Sequence, residues 1–259
     1  MPVDRYEVAI NVPRGPLTTS VDVPSGFVPI ATIVPLARQL GEQASVEEVR
    51  GAVEEGATIS CKDGCAACCR MMVPLSPPEA FALRDHIDSL PKAERDRFMR
   101  KIDDAKAALR HAGLLEPLIE LAKTPKPLAD SDMDALNHAY YALRLPCPFL
   151  EAGRCGIYEH RPSACRELLV TSPADLCQDL AHNAVQPLPV PIRVSTVLGL
   201  LWADLTDKIP RLIPLPLALN WATEHEPEGR RVWKGGDLLD QTLDKVWRLL
   251  SQTMGEKQC

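Results

Sequence analysis

The stretch CKDGCAACCR at residues 61–70 puts four cysteines into nine positions, and CPFLEAGRCGIYEHRPSACR at residues 147–166 adds three more, with Cys177 just beyond. So dense a set of thiols must either be cross-linked or hold something, and either choice constrains the fold more than any other feature. A chain of 259 residues with 46% hydrophobic content can bury a core large enough to fold without disulfides. Its first residues, MPVDRYEVAI, lack the basic start and apolar run of a secretory signal. The expected compartment is therefore the cytoplasm, where thiols are kept reduced, and clustered cysteines there point to metal or redox chemistry.

Thiolate is a soft ligand suited to zinc, iron–sulfur clusters and cuprous copper. Cys61, Cys65 and Cys68 form C-x3-C-x2-C, a spacing that lets three sulfurs converge on one centre. Cys69 adjoins Cys68, and neighbouring side chains in extended backbone diverge, so the pair suggests two centres, or one ligand beside a packed thiol. With Cys147, Cys155, Cys165 and Cys177 the set reaches eight, enough for two four-ligand sites or for one site with spare cysteines. A metal held between the two stretches would clamp the intervening segment and offset its closure entropy. Arginine follows a cysteine at Arg70 and again at Arg166, where it either donates to sulfur or points to water. His160 reads as solvated or structural rather than as a ligand, and Cys259, the last residue, as a free thiol.

Hydrophobic periodicity makes the chain mainly α: an irregular helical domain around a cysteine-rich metal site, with a small N-terminal β-hairpin. Tyr6, Val8, Ile10 and Val12, then Leu17, Thr19, Val21 and Val23, alternate on either side of Pro-Arg-Gly-Pro and predict that hairpin. A helical pattern runs from Pro35 to about Glu55, with a restart expected at Ser45. Ser76, Pro77 and Glu79 form a capping box for a helix bearing Ala80, Leu83, Ile87 and Leu90. A second helix from Pro91, striped by Phe98, Ile102, Ala105, Leu109 and Ala112 and closed by Gly113, is expected to pack against it as an antiparallel hairpin.

A Pro-rich break at 124–127 precedes a short helix with Leu136, Tyr140 and Leu143; Ser172 and Pro173 look like a helix start; and QPLPVP at 186–191 should be extended. Two further helices carry Val194, Leu198, Leu201 and Leu205, then Leu239, Leu243, Val246 and Leu250 behind an Asp237 cap. The resulting division is an N-terminal hairpin with lead-in helices (1–56), a cysteine-cluster domain (57–180) with an inserted helical hairpin (71–145), and a C-terminal helical extension (181–259) on the same core.

The run C61-x3-C-x2-CC, followed by CPFL and by Cys-Gly-Ile-Tyr-x-x-Arg-Pro-x-x-Cys-Arg, resembles the YkgJ-type CxxCxxCC family of zinc- or iron-chelating domains. The likeness spans residues 61 to about 177, although three residues rather than two separate the first two cysteines here. It implies that Cys61, Cys65, Cys68, Cys69, Cys147, Cys155 and Cys165 are ligands or near-ligands, with Tyr158, Arg161, Pro162 and Arg166 around them. Cys177 is added on proximity alone. The family is also similar to flagellin lysine methylases, yet no Gly-rich nucleotide fingerprint is present. C-x3-C-x2-C is shared with radical S-adenosylmethionine enzymes too, but Ala67 stands where those place an aromatic, and the chain does not alternate strand and helix.

A net charge of -6 argues against a nucleic-acid surface, and no apolar stretch suits a membrane span. No Ser-His-Asp set or isolated carboxylate pair stands out. Three functions fit. The favoured one holds an iron–sulfur cluster or iron, for redox chemistry or for modifying a protein. The others are a structural zinc module that binds a protein partner, and a methylase-like lysine N-methyltransferase.

Overall fold

The computed structural model describes residues 2–123, 130–178 and 182–256. The Pro-rich break at 124–127, Cys259 and the boundary drawn at 180 lie outside them. The molecule is mainly α, with the expected hairpin at its N-terminus. Strands β1 (Val3–Val12) and β2 (Gly15–Pro24) pair antiparallel, with Val8 opposite Thr19 and Ile10 opposite Leu17. One face of the hairpin, Val8, Ile10, Val12, Thr19, Val21 and Val23, is buried, as strict alternation requires. At the turn, Arg14 reaches Glu55 and the buried Glu48, pinning the hairpin to the first helix.

After a short strand β3 (Phe27–Pro29), helix α1 (Val34–Glu54) runs unbroken through Ser45. The expected restart does not occur, because Leu36, Leu40, Ala44, Glu48 and Ala52 form one continuous buried stripe whose packing outweighs a local cap signal. The chain then crosses the first cysteine stretch and reaches β4 (Pro74–Leu75) and α2 (Pro77–Ser89). The capping box of α2 forms as read, with Glu79 accepting from the Ser76 N–H.

Next come α3 (Lys92–His111), α4 (Leu115–Lys123) and α5 (Asp130–Ala142). Helices α2 and α3 each find their main partners elsewhere rather than packing as a pair. The apolar face of α2 lies on two C-terminal helices, while that of α3 lies on α4 and on the turn at Leu215–Leu217. The periodicity of both helices was legible; which faces meet depends on segments more than a hundred residues downstream.

The second cysteine stretch forms the small hairpin β5 (Leu150–Glu151) and β6 (Arg154–Cys155), then α6 (Ser163–Glu167). Ser172 and Pro173 lead into a single 3-10 turn, Ala174–Gln178, rather than a full helix. Residues 186–188 are extended as expected and pair with 169–171. Helix α7 (Val194–Thr206), β7 (Ile213–Pro214), α8 (Ala218–Glu224), α9 (Glu226–Gly229), β8 (Val232–Lys234) and α10 (Gly235–Glu256) complete the chain. Asp237 sits inside the first turn of α10 rather than capping it. Pairings β3 with β8 and β4 with β7 tie early segments to late ones. One continuous hydrophobic cluster runs from Val8 to Leu250 and includes Trp202, Phe81 and Phe98. No helix among the described residues is long and apolar enough to cross a membrane.

Candidate metal centre

The first cysteine stretch folds as successive tight turns. The Cys65 N–H donates to Lys62 O, the Cys69 N–H to Ala66 O and the Met71 N–H to Cys68 O, and Gly64 takes φ +80°. The second stretch joins it directly, since the Cys147 N–H donates to Cys69 O at 2.8 Å. The β5–β6 turn places Ala152 and Gly153 in the left-handed region, and the Gly156 N–H closes on Phe149 O at 2.7 Å. Gly156 has no room for a side chain: an added Cβ would lie 2.9 Å from Phe98 and 3.2 Å from Phe149 O. Gly156→Ala is therefore expected to cost about 1–3 kcal/mol by overpacking and to displace Cys155, which thermal denaturation and metal content would register together.

These turns bring six of the eight expected thiols, Cys65, Cys68, Cys69, Cys147, Cys155 and Cys165, around one cavity of about 80 Å³. Cys61 and Cys177 do not line it. Cys61 is half-buried, accepting from the Val170 N–H at 3.4 Å, and Cys177 is buried beneath Tyr141. Both lie near enough to Cys65 and Cys68 to feel their charge. The adjacent pair does not diverge: Cys68 and Cys69 both face the cavity and hydrogen-bond to each other. Divergence is a property of extended backbone, whereas the turns at Ala66 and Met71 curl the pair onto one side. No group of three or more His, Cys, Asp or Glu side chains among the described residues stands in ion-holding geometry.

The donor set suits a soft metal. Burial raises Cys165 and Cys155, and pushes Cys147 up to about 11; Cys68 is raised first by its bond to Cys69 and then by burial. In the bare protein these thiols stay protonated, and a bound cation would supply the missing counter-charge and displace the protons. Backbone N–H groups already point at sulfur, from Phe149 to Cys147 and from Ile157 to Cys155. Such N–H···S bonds stabilise thiolate and tune what it binds.

Of the residues expected around the ligands, Tyr158, Arg161 and Pro162 line the cavity, and the Arg161 guanidinium stacks on the Tyr158 ring at 4.2 Å. Its positive charge favours ionisation of Cys68, Cys155 and Cys165. Arg70 does not line the cavity; it donates to Arg144 O at 2.8 Å and so holds the backbone that leads into Cys147. Arg166 bridges Glu42 with the carbonyls of Glu159 and Arg161, fixing the loop that carries Arg161. His160 is structural, stacked on His86 with ring centroids 3.6 Å apart. Burial lowers the pKa of both rings, so the stack is neutral near pH 7 and seats the second stretch on α2.

The group most important to the site's support is one whose reach the sequence does not reveal. Glu79, fully buried, accepts from the Ser163 N–H at 2.8 Å, the Ser195 hydroxyl at 2.6 Å and the Arg38 guanidinium at 3.4 Å as well as capping α2. Ser163 opens the helix that carries Cys165, so one carboxylate anchors the second stretch to α1, α2 and α7. The capping box announces Glu79 as a local cap, and nothing nearby in sequence announces the other partners.

Compared with models of known families, residues 60–183 match one built on the CxxCxxCC pattern and described as "Putative zinc- or iron-chelating domain". No curated protein and no solved structure matches the chain.

Proposed function

We propose, from the premise that residues 60–183 belong to the CxxCxxCC family of zinc- or iron-chelating domains, that the metal held here is iron, as an iron–sulfur cluster, and that it serves redox chemistry or the modification of a protein. The observation that carries this reading is six thiols lining one cavity. A structural zinc site closes on four ligands, whereas a surplus containing an adjacent pair suits cluster chemistry. A cluster bound there would supply one-electron transfer at a potential set by its surroundings.

The chain's own residues support that chemistry. Peptide N–H groups of Phe149 and Ile157 hold sulfur lone pairs, Arg161 offsets thiolate charge, and Phe149 and Ile157 wall the cavity with apolar surface. Tyr158 lies at the edge, 40% exposed, where a protein partner would approach.

Anaerobic purification of the untagged chain, with iron, zinc and acid-labile sulfide measured on one sample beside its absorption spectrum, tests the proposal. Iron with matching sulfide and broad visible absorption is the expected result. Stoichiometric zinc without sulfide would overturn the redox reading in favour of a structural zinc module.

A further inference from the structure

Arg161 faces two spaces. On one side lies the cysteine cavity; on the other lies a separate pocket of about 290 Å³ between α1, α6 and the start of α7. Three guanidinium groups, Arg38, Arg161 and Arg166, line this second pocket, together with the hydroxyls of Ser45 and Ser163. Its remaining wall includes Val46, Val49 and Leu169. The volume is that of a small-ligand site, and an apolar wall with a few convergent polar groups is the usual composition of one.

The charges in this pocket are unequally matched. Arg166 is paired with Glu42. Arg38 is largely buried yet has only long contacts, 3.4 Å to Glu79 and 3.4 Å to Ser163 Oγ, because the two oxygens of Glu79 are already shared among Ser76, Ser163 and Ser195. Arg161 has no carboxylate partner among the described residues, and its Nε is buried without a hydrogen-bond partner. The remaining carboxyl in the lining, Glu167, is occupied by the Val194 N–H at 2.8 Å. Buried guanidinium groups with unused donors are costly unless an anion meets them.

We propose that this pocket binds a small organic carboxylate with an apolar body, its carboxylate between Arg38 and Arg161 and its body on Val46, Val49 and Leu169, next to the cysteine cavity. Arg161 is then the shared wall through which a bound carboxylate and the thiol site sense each other's charge. The pocket stands whatever metal the cysteines hold.

Calorimetric titration of the full metal-containing chain with hexanoate, hexanamide and inorganic phosphate tests this, with metal content and circular dichroism recorded on each sample. Hexanoate is expected to saturate and to bind at least tenfold more tightly than its neutral amide, which keeps the same apolar body. Val46→Trp, on an exposed rim residue, should fill the pocket and abolish hexanoate binding with metal content and fold intact. Arg161→Gln should weaken hexanoate binding at least tenfold. Equal binding of hexanoate and hexanamide, saturation by phosphate alone, or hexanoate binding that survives V46W would each overturn the proposal.

Discussion

Cys147→Ser should leave the purified chain with a small fraction of its bound metal and lower its thermal midpoint by about 10 °C. Cys147 lines the cavity, its sulfur takes the Phe149 N–H, and its own N–H holds Cys69, so it sits where the two cysteine stretches meet. Serine keeps that backbone bond but replaces a soft sulfur with a hard oxygen on a shorter bond, a poor ligand for zinc or iron–sulfur centres. Losing an outer partner of a ligand typically costs 10–100-fold in metal affinity, and losing the ligand itself should exceed about a hundredfold. A metal bound at 100–1,000 times its dissociation constant stabilises the fold by roughly 3–4 kcal/mol, and this is the stability the variant forfeits. Elemental analysis and differential scanning calorimetry on matched samples check it. Full metal content in C147S would remove Cys147 from the ligand set. Cys61→Ser should do less, since Cys61 stands outside the cavity and is held by Val170.

How much of this could be read beforehand follows from the range of each interaction. The β1–β2 alternation, the α2 capping box and the apolar stripe of α3 depend on neighbours a few residues away, and each forms where periodicity places it. The cysteines announced that their two stretches meet, because thiols are rare enough that their clustering carries meaning, and six of the eight line one cavity. The pairings β3 with β8, α2 with α8, and Glu79 with Ser163 and Ser195 join segments about 80 to 200 residues apart, and no local pattern encodes them. The Cys68–Cys69 geometry departs from expectation for a smaller reason. Divergence of neighbours belongs to extended chain, and Gly64 and the short i to i+3 hydrogen bonds make this segment a coil of turns.

The largest loss of stability from a single residue that is not a ligand is expected at Glu79. Its Oε1 takes the Ser163 N–H and Arg38, and its Oε2 takes the N–H and hydroxyl of Ser76 and the hydroxyl of Ser195. Glu79→Gln keeps the shape but must turn an NH2 group towards one of those donor sets, and it leaves Arg38 buried without its counter-charge. Breaking a buried pair from one side costs about 3–5 kcal/mol, a large share of the 5–15 kcal/mol by which domains are usually stable. Asp22→Asn, in the exposed Arg5–Asp22 pair, should by contrast change stability by no more than about 1 kcal/mol.

The pH response separates loss of charge from simple misfit. Burial pushes the Glu79 carboxyl up, but Arg38 and the hydrogen bonds from Ser195 and Ser163 outweigh it and hold the folded pKa below the ordinary value of 4.5. The unfolded chain therefore takes up this proton first as pH falls, so the contribution is complete above about 4.5 and is lost as pH drops through the folded pKa. Urea unfolding from pH 7 to pH 3 should show the gap between wild type and E79Q closing in that acid window. A gap that stays constant with pH would mean that the charge of Glu79 contributes nothing and that the variant suffers only from its misplaced amide. A gap that closes would tie the seating of Cys165, through Ser163, to one ionised buried carboxylate.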